Sequence, residues 1–235
     1  MRVAALVLAA GSGERLRATL GEATPKALVM LAGRSLLARS LAVLASVREI
    51  ERLVPVLPPA SFDAWARVRA ELADAGKVAA PVPGGARRQD SVRAGLAALP
   101  PDVTHVVVHD AARPLVRAED VARAVAAGAK HGAALLAVPA ADTIHRVVDK
   151  RIRETPPRAE CFAAQTPQVF RVDWLREALA KAAADGVMGT DDATLVARLG
   201  VPVHVVAGDA SNLKITTAAD LVLAEAILAE RSARA

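Results

Sequence analysis

Val3-Ala4-Ala5-Leu6-Val7-Leu8-Ala9-Ala10-Gly11-Ser12-Gly13 is the stretch that decides the fold. An unbroken apolar run that ends in small residues reads as a strand buried on both faces, the habit of a parallel sheet covered by helices. The run begins like a signal peptide, but it is short and passes straight into glycines and charges, so a first strand is the better reading. Short β-like runs then alternate with helical patterns, the mark of parallel βαβ units. Strands are expected at Val3 to Ala9, Arg52 to Leu57, weakly at Lys77 to Ala80, and at His105 to Val108, Ala133 to Val138 and Val201 to Val206. Helices are expected from a Ser35 cap to Ser46, from a Ser61 cap to Ala73, and over Gln89 to Leu99, Ala118 to Lys130, Val172 to Ala184 and Ala218 to Arg231.

Between Pro139 and Pro167 this rhythm breaks, with no helical stripe and a polar, basic middle. Structureless loops of that length are uncommon, so a projecting hairpin or functional loop is expected there. The fold expectation is one Rossmann-like, doubly wound α/β domain over residues 1–235. Its sheet is mainly parallel with helices on both faces, and a β-arm projects at about residues 139–160.

With 53% hydrophobic but 2% aromatic residues, the core must be built from Ala, Val and Leu. The net charge of +5 fits a nucleic acid or a small anion, but the basic residues are scattered among acidic ones and no aromatic platform accompanies them, so no nucleic-acid partner is expected. No apolar stretch is long and uncharged enough to span a bilayer, so no membrane partner and a cytoplasmic location are expected. Cys161 is the single cysteine, which excludes an intramolecular disulfide and a cysteine-rich zinc site; it reads as a small buried hydrophobe.

Ligands of open α/β sheets collect at the carboxyl edge, where the turn Ala9-Ala10-Gly11-Ser12-Gly13 sits. Small side chains there let backbone N–H groups approach phosphate oxygens. Leu16 stands where a dinucleotide fingerprint needs its third glycine, and no P-loop motif exists. Arg15 and Lys26, in Thr24-Pro25-Lys26-Ala27-Leu28, instead flank the turn with two cations suited to a triphosphate. On spacing alone they could equally be solvated. Gly84-Gly85-Ala86-Arg87-Arg88-Gln89-Asp90-Ser91 offers backbone groups and a hydroxyl to a nucleobase, and His109-Asp110-Ala111-Ala112-Arg113-Pro114 brings an Asp and an Arg to the same edge.

These motifs, followed by Asp142-Thr143, Gln165-Thr166-Pro167-Gln168, Thr190-Asp191-Asp192 and Asn212-Leu213-Lys214-Ile215-Thr216, stand in an order that resembles the 2-C-methyl-D-erythritol 4-phosphate cytidylyltransferases over nearly the whole chain. The resemblance implies an enzyme that joins CTP to that phosphate, releasing pyrophosphate. It implies that Ala9, Ala10, Gly11 and Gly13 form the CTP turn, with Gly85, Ser91, Asp110 and Ala111 also on the nucleotide. Arg15 and Lys26 correspond to the cations on the α-phosphorus. Asp110, Arg113, Thr143, Thr166 and Lys214 correspond to acceptor ligands. Arg158 matches an arginine delivered by a partner subunit's arm, which implies a homodimer. Mg²⁺ is expected mainly on the CTP phosphates, with no protein metal site. Two departures are Ala86, where some relatives carry Asp, and Ala27, where Gln is frequent.

Other readings remain at this stage. A pyrophosphorylase for another alditol or sugar phosphate would share the nucleotide half, and a non-catalytic nucleotide-binding module would share the turn. Asp110 could cap a helix after Pro114, and Ser91 could be only a helix-start residue; Asp191 reads as a cap rather than a catalytic group. His105 and His109 read as satisfied core or edge residues. His131, His145 and His204 show no metal spacing. Arg87, Arg88 and Arg93 read as a solvated basic face, and Trp65 and Trp174 as packing anchors.

Overall fold

The computed structural model describes residues 1–11, 13–20 and 24–234, so Ser12 of the glycine turn lies outside the described residues. In chain order the elements are β1 (Val3–Leu8), α1 (Glu14–Leu20), β2 (Met30–Leu31), β3 (Arg34–Ser35), α2 (Leu36–Ser46), β4 (Ile50–Leu57), α3 (Trp65–Ala70), β5 (Val82–Pro83) and α4 (Arg88–Ala97). They continue with β6 (His105–Asp110), α5 (Ala118–His131), β7 (Ala133–Pro139), β8 (Arg146–Val148), β9 (Arg151–Glu154), β10 (Phe162–Arg171), α6 (Val172–Ala184), α7 (Asp192–Ala197), β11 (His204–Ala207) and α8 (Ala218–Ala233).

Among the described residues, seven strands form the main sheet in the order β11-β7-β10-β6-β1-β4-β5. All its pairings are parallel except those of β10, which runs antiparallel to both β6 and β7. Alternate residues of β1 explain the helices on both faces. Ala5 and Val7 pack with Leu37, Leu41 and Leu44 of α2 and Val121 and Val125 of α5, whereas Ala4, Leu6 and Leu8 pack with Val92 and Leu96 of α4 and, further along, Leu175 and Leu179 of α6. Because the chain moves outward from β1 through β4 to β5 and then returns to β6 on the other side, the strand order reverses between β1 and β6. This is the switch point at which open α/β sheets bind ligands.

Several expectations need correction. The weak strand at Lys77 to Ala80 is a single bridge between Leu53 and Val78, and the sheet edge is β5 instead. Ser61 is no helix cap: it lies inside a 3-10 turn over Pro59–Ala64 with its hydroxyl buried and unpartnered among the described residues, and the helix begins only at Trp65. The alternative that Asp110 only caps the helix after Pro114 falls, since Arg117 stands at the N-cap of α5. Cys161 is half-buried beside the arm, its Sγ 3.5 Å from the Pro157 carbonyl oxygen, and is no core residue. The stretch from Pro139 to Pro167 contains the β8–β9 hairpin, with residues 141–155 all exposed, and also the first half of β10, which the sequence pattern does not show. Ser35 and Asp191 do cap their helices, accepting from the Ala38 and Thr194 N–H groups.

Candidate active site

Parallel pairing of β1 with β6 places Leu8 opposite Asp110, and the Ala111 N–H donates to the Leu8 carbonyl at 3.0 Å. The turn after β1 and the turn after β6 are thus locked side by side at the carboxyl rim. The loop after β5 joins them: the Gly84 N–H donates to the Leu57 carbonyl, and an added Cβ at Gly84 would lie 2.2 Å from Cβ of Ala10, so only glycine permits this approach. Between the three loops lies a cavity of about 530 Å³.

Ala9, Ala10, Gly11, Gly13, Arg15, Lys26, Gly85, Ser91, Asp110, Ala111 and Lys214 all line this cavity. The other four expected residues do not. Arg113 donates to the carbonyls of Asn212 at 2.7 Å and Ala164 at 3.2 Å, bracing two segments behind Asp110. Thr166 is buried next to the Asp110 backbone. Thr143 and Arg158 are exposed on the arm and its return, away from this chain's own cavity.

Lys26 begins a 3-10 turn and points its amine into the cavity with Arg15 and Lys214. Burial, reinforced by the Lys214 charge, pushes its ammonium down to about 8. Lys214 is brought in by the Ile215 N–H donating to Ala112 O at 2.8 Å, and its Nζ lies 2.6 Å from Asp110 Oδ2. Burial opposes ionisation of Asp110, but Arg88 and Lys214 overcome it and hold the carboxyl well below the usual carboxylate range. A cavity of this polarity, lined by Arg15, Lys26, Arg87, Arg88 and Lys214 against Glu14 and the ionised Asp110, suits a polyanion that also carries hydroxyl groups.

Ser91 is buried with its hydroxyl turned to its own loop: it accepts from the Gly85 N–H at 3.1 Å and donates to the Arg87 carbonyl at 3.2 Å. Its observed contacts therefore shape the Gly85 loop. Arg88 departs from the solvated face expected for it. It lines the cavity and pairs with Asp192 at 2.7 Å and Asp110 at 3.4 Å. Sequence reasoning missed Arg88 and Asp192 because their partnership spans 104 positions; the one local hint is a second Asp directly after a capping Asp.

His109 is fully buried behind Asp110. Its Nε2 lies 3.2 Å from the Arg113 carbonyl oxygen, which can only accept, so Nε2 carries the proton. Nδ1 then accepts from the Thr166 hydroxyl at 3.1 Å, and that hydroxyl accepts the Asp110 N–H at 3.0 Å. Burial pushes the imidazole down to about 4, so the ring stays neutral. Between about pH 6.5 and pH 4 the unfolded chain therefore binds a proton the folded one refuses, and stability falls as pH falls through that window. We expect a loss of about 2 kcal/mol between pH 7 and pH 5 from this group. Urea unfolding of the wild type and His109→Asn checks it: the variant should be flatter over this range, and equal slopes would show that the ring is not held neutral.

Among the described residues, no group of three or more His, Cys, Asp or Glu side chains is placed to hold a metal ion, and no helix is long and apolar enough to cross a membrane.

Comparison with known proteins gives one family. The model of 2-C-methyl-D-erythritol 4-phosphate cytidylyltransferases matches residues 3–230. A protein of that name from Frankia casuarinae is 47% identical over 97% of this chain and 82% of its own length. Another from Pelotomaculum thermopropionicum is 42% identical over 99% of this chain and 97% of its own. Among solved structures, the 2-C-methyl-D-erythritol 4-phosphate cytidylyltransferase of Thermus thermophilus superposes with a TM-score of 0.74 at 37% identity, covering 97% of this chain and 98% of its own. The 4-diphosphocytidyl-2C-methyl-D-erythritol synthase of Anaerococcus prevotii does so with a TM-score of 0.85 at 28% identity, covering 97% and 96%.

Proposed function

Since the chain belongs to the 2-C-methyl-D-erythritol 4-phosphate cytidylyltransferase family, we propose that its rim cavity joins CTP to 2-C-methyl-D-erythritol 4-phosphate, a step of non-mevalonate isoprenoid precursor synthesis. The observation that carries this reading is the convergence of Arg15, Lys26 and Lys214 on one cavity at the switch point, with Asp110 held ionised among them.

A phosphate oxygen of the acceptor attacks the α-phosphorus of CTP in line, one P–O bond forms, the bond to the bridging oxygen breaks, and pyrophosphate carries the electron pair away. The nucleophile is already an anion, so no general base is required, and catalysis is positioning plus electrostatic stabilisation. Arg15 and Lys26 face the charge that builds on the α-phosphoryl oxygens. Lys214 meets the acceptor phosphate, and Asp110 accepts from its hydroxyls. The Ala9–Ala10–Gly11 turn and the Gly85 loop hold the nucleotide by backbone groups, which also accommodates Ala86 and Ala27.

Mg²⁺ fits this cavity as an ion carried in by the triphosphate: the carboxylates on offer are Glu14 and Asp110, and both Asp110 oxygens already face cations. When bound, it would neutralise charge on the departing pyrophosphate. Pyrophosphate release with CTP, Mg²⁺ and methylerythritol phosphate, run beside other triphosphates and alditol or sugar phosphates, tests the reading. A different preferred acceptor would favour the wider pyrophosphorylase class, and tight CTP binding without turnover a nucleotide sensor.

The arm supports a homodimer. A lone two-stranded hairpin is marginal in water, yet this one exposes Ile144, Val147, Val148 and Ile152, the apolar surface expected of a contact with a second subunit. In that arrangement Arg158 of each chain completes the other's cavity at the acceptor phosphate. Mixing inactive Lys26→Ala with inactive Arg158→Ala protein then rebuilds one intact site in each mixed dimer, and about a quarter of wild-type activity should return after subunit exchange. No recovery in a mixture shown to contain mixed dimers would place Arg158 elsewhere. A cytoplasmic enzyme without nucleic-acid partners is the setting that fits these small-molecule substrates.

A further inference from the structure

Arg88 touches two carboxylates at once: Nη1 lies 2.7 Å from Oδ2 of Asp192, and Nη2 lies 3.4 Å from Oδ1 of Asp110. Asp192 is only 1% exposed and does not line the cavity. Arg88 is its one cationic partner among the described residues, and its other oxygen, Oδ1, is buried without a hydrogen-bond partner. Burial pushes the Asp192 carboxyl up and the Arg88 charge opposes that shift, so parting the pair would leave a buried acidic group without its partner. One end of the guanidinium is therefore anchored, and its rigid fork sets where the other end points.

The anchor itself is fixed. Asp191 caps α7, and the Gln168 side chain on β10 donates to Asp191 Oδ2 at 2.8 Å while accepting the Ala193 N–H at 3.0 Å. On the far side of Asp110, Lys214 takes Oδ2 at 2.6 Å. The carboxylate that faces the cavity is thus gripped from both sides, and one grip originates at a residue outside it.

We propose that Asp192 is a positioning residue for the acceptor site, anchoring Arg88 so that Arg88 fixes the orientation of Asp110 toward the acceptor hydroxyls. The proposal rests on the cytidylyltransferase reading, in which Asp110 meets the acceptor. A solvated arginine would be replaceable by lysine; a bridging one is not, because the single nitrogen of lysine cannot stand at both positions that Nη1 and Nη2 hold.

Steady-state kinetics with CTP and methylerythritol phosphate on the full chain, with thermal melting in parallel, test it in wild type, Asp192→Asn, Arg88→Lys and the double variant. The acceptor KM should rise about tenfold in each single variant while the CTP KM moves by less than about twofold. The double variant should be no worse than the worse single, because both changes break the same chain of contacts. A loss in kcat that follows the folded fraction, with both KM values unchanged, overturns the proposal in favour of a structural role. So does an Arg88→Lys enzyme with wild-type acceptor KM, a result that stands even if Asp192→Asn fails to fold. A wild type that makes no cytidylylated product sinks the functional reading together with the proposal, whereas an active wild type with unmoved variants sinks the proposal alone.

Discussion

Lys26→Ala should lower kcat by about 10²–10³ and change the CTP KM far less. The amine faces the cavity from a short 3-10 turn whose Ala27 is buried, so its position is fixed before substrate arrives and its charge acts chiefly where new charge develops. Its lowered proton affinity gives a second signature. The ammonium of the free protein is lost as pH rises through about 8, and kcat/KM reports the free enzyme, so kcat/KM for CTP should fall above that pH. Lys26→Arg keeps the charge and should lack this alkaline limb. Turnover near normal in Lys26→Ala would remove Lys26 from the reaction, and the same limb in Lys26→Arg would assign that limb to another group.

Gly13→Ala should cost about 10² in kcat although it adds one methyl group. Gly13 has φ of +65°, a conformation that side chains other than glycine's rarely adopt, and an added Cβ would lie 2.5 Å from Cβ of Lys26. The clash is with the root of the lysine stem rather than its flexible end, so rotation about the side chain cannot relieve it. Either the turn moves or the 3-10 segment carrying Lys26 does, and both displace the amine. The stability cost should stay near 1–2 kcal/mol, roughly the penalty of the left-handed conformation, so the melting temperature drops modestly while turnover collapses. A kcat within about threefold of wild type would show that the rim tolerates movement of Lys26.

Much of this site is legible in the sequence because its parts are local. The strand that stops at Leu8, the glycines after it and the polar residues that end β6 announce a carboxyl-edge cavity wherever a parallel sheet is expected. β10 escapes for a physical reason. Its buried run, residues 165–170, opens with three polar side chains, and those groups are satisfied only by distant partners: Gln165 by Asn212 and the Asp209 carbonyl, Thr166 by His109 and Asp110, and Gln168 by Asp191 and Ala193. Pro167 sits in the stretch where the ladder with β7 shifts register, a place where a strand tolerates proline. No periodicity shows a strand whose polar side chains are paid for by remote loops. The same holds for Arg88, whose mixed-charge surroundings read as solvent-facing until α7 delivers Asp192 beside it.

The reversed strand at the middle of the sheet also orders events during synthesis. β1, β4, β5 and β6 can zip together as soon as Asp110 has left the ribosome, but the free edge of β6 finds its native neighbour only after the arm has been made and β10 has doubled back to Arg171. Until then the nascent chain displays an unpaired apolar strand border, the kind of template that invites association with other chains. Slow translation between residues 110 and 171 would prolong that exposure, so this interval is where chaperone capture of the growing chain should concentrate.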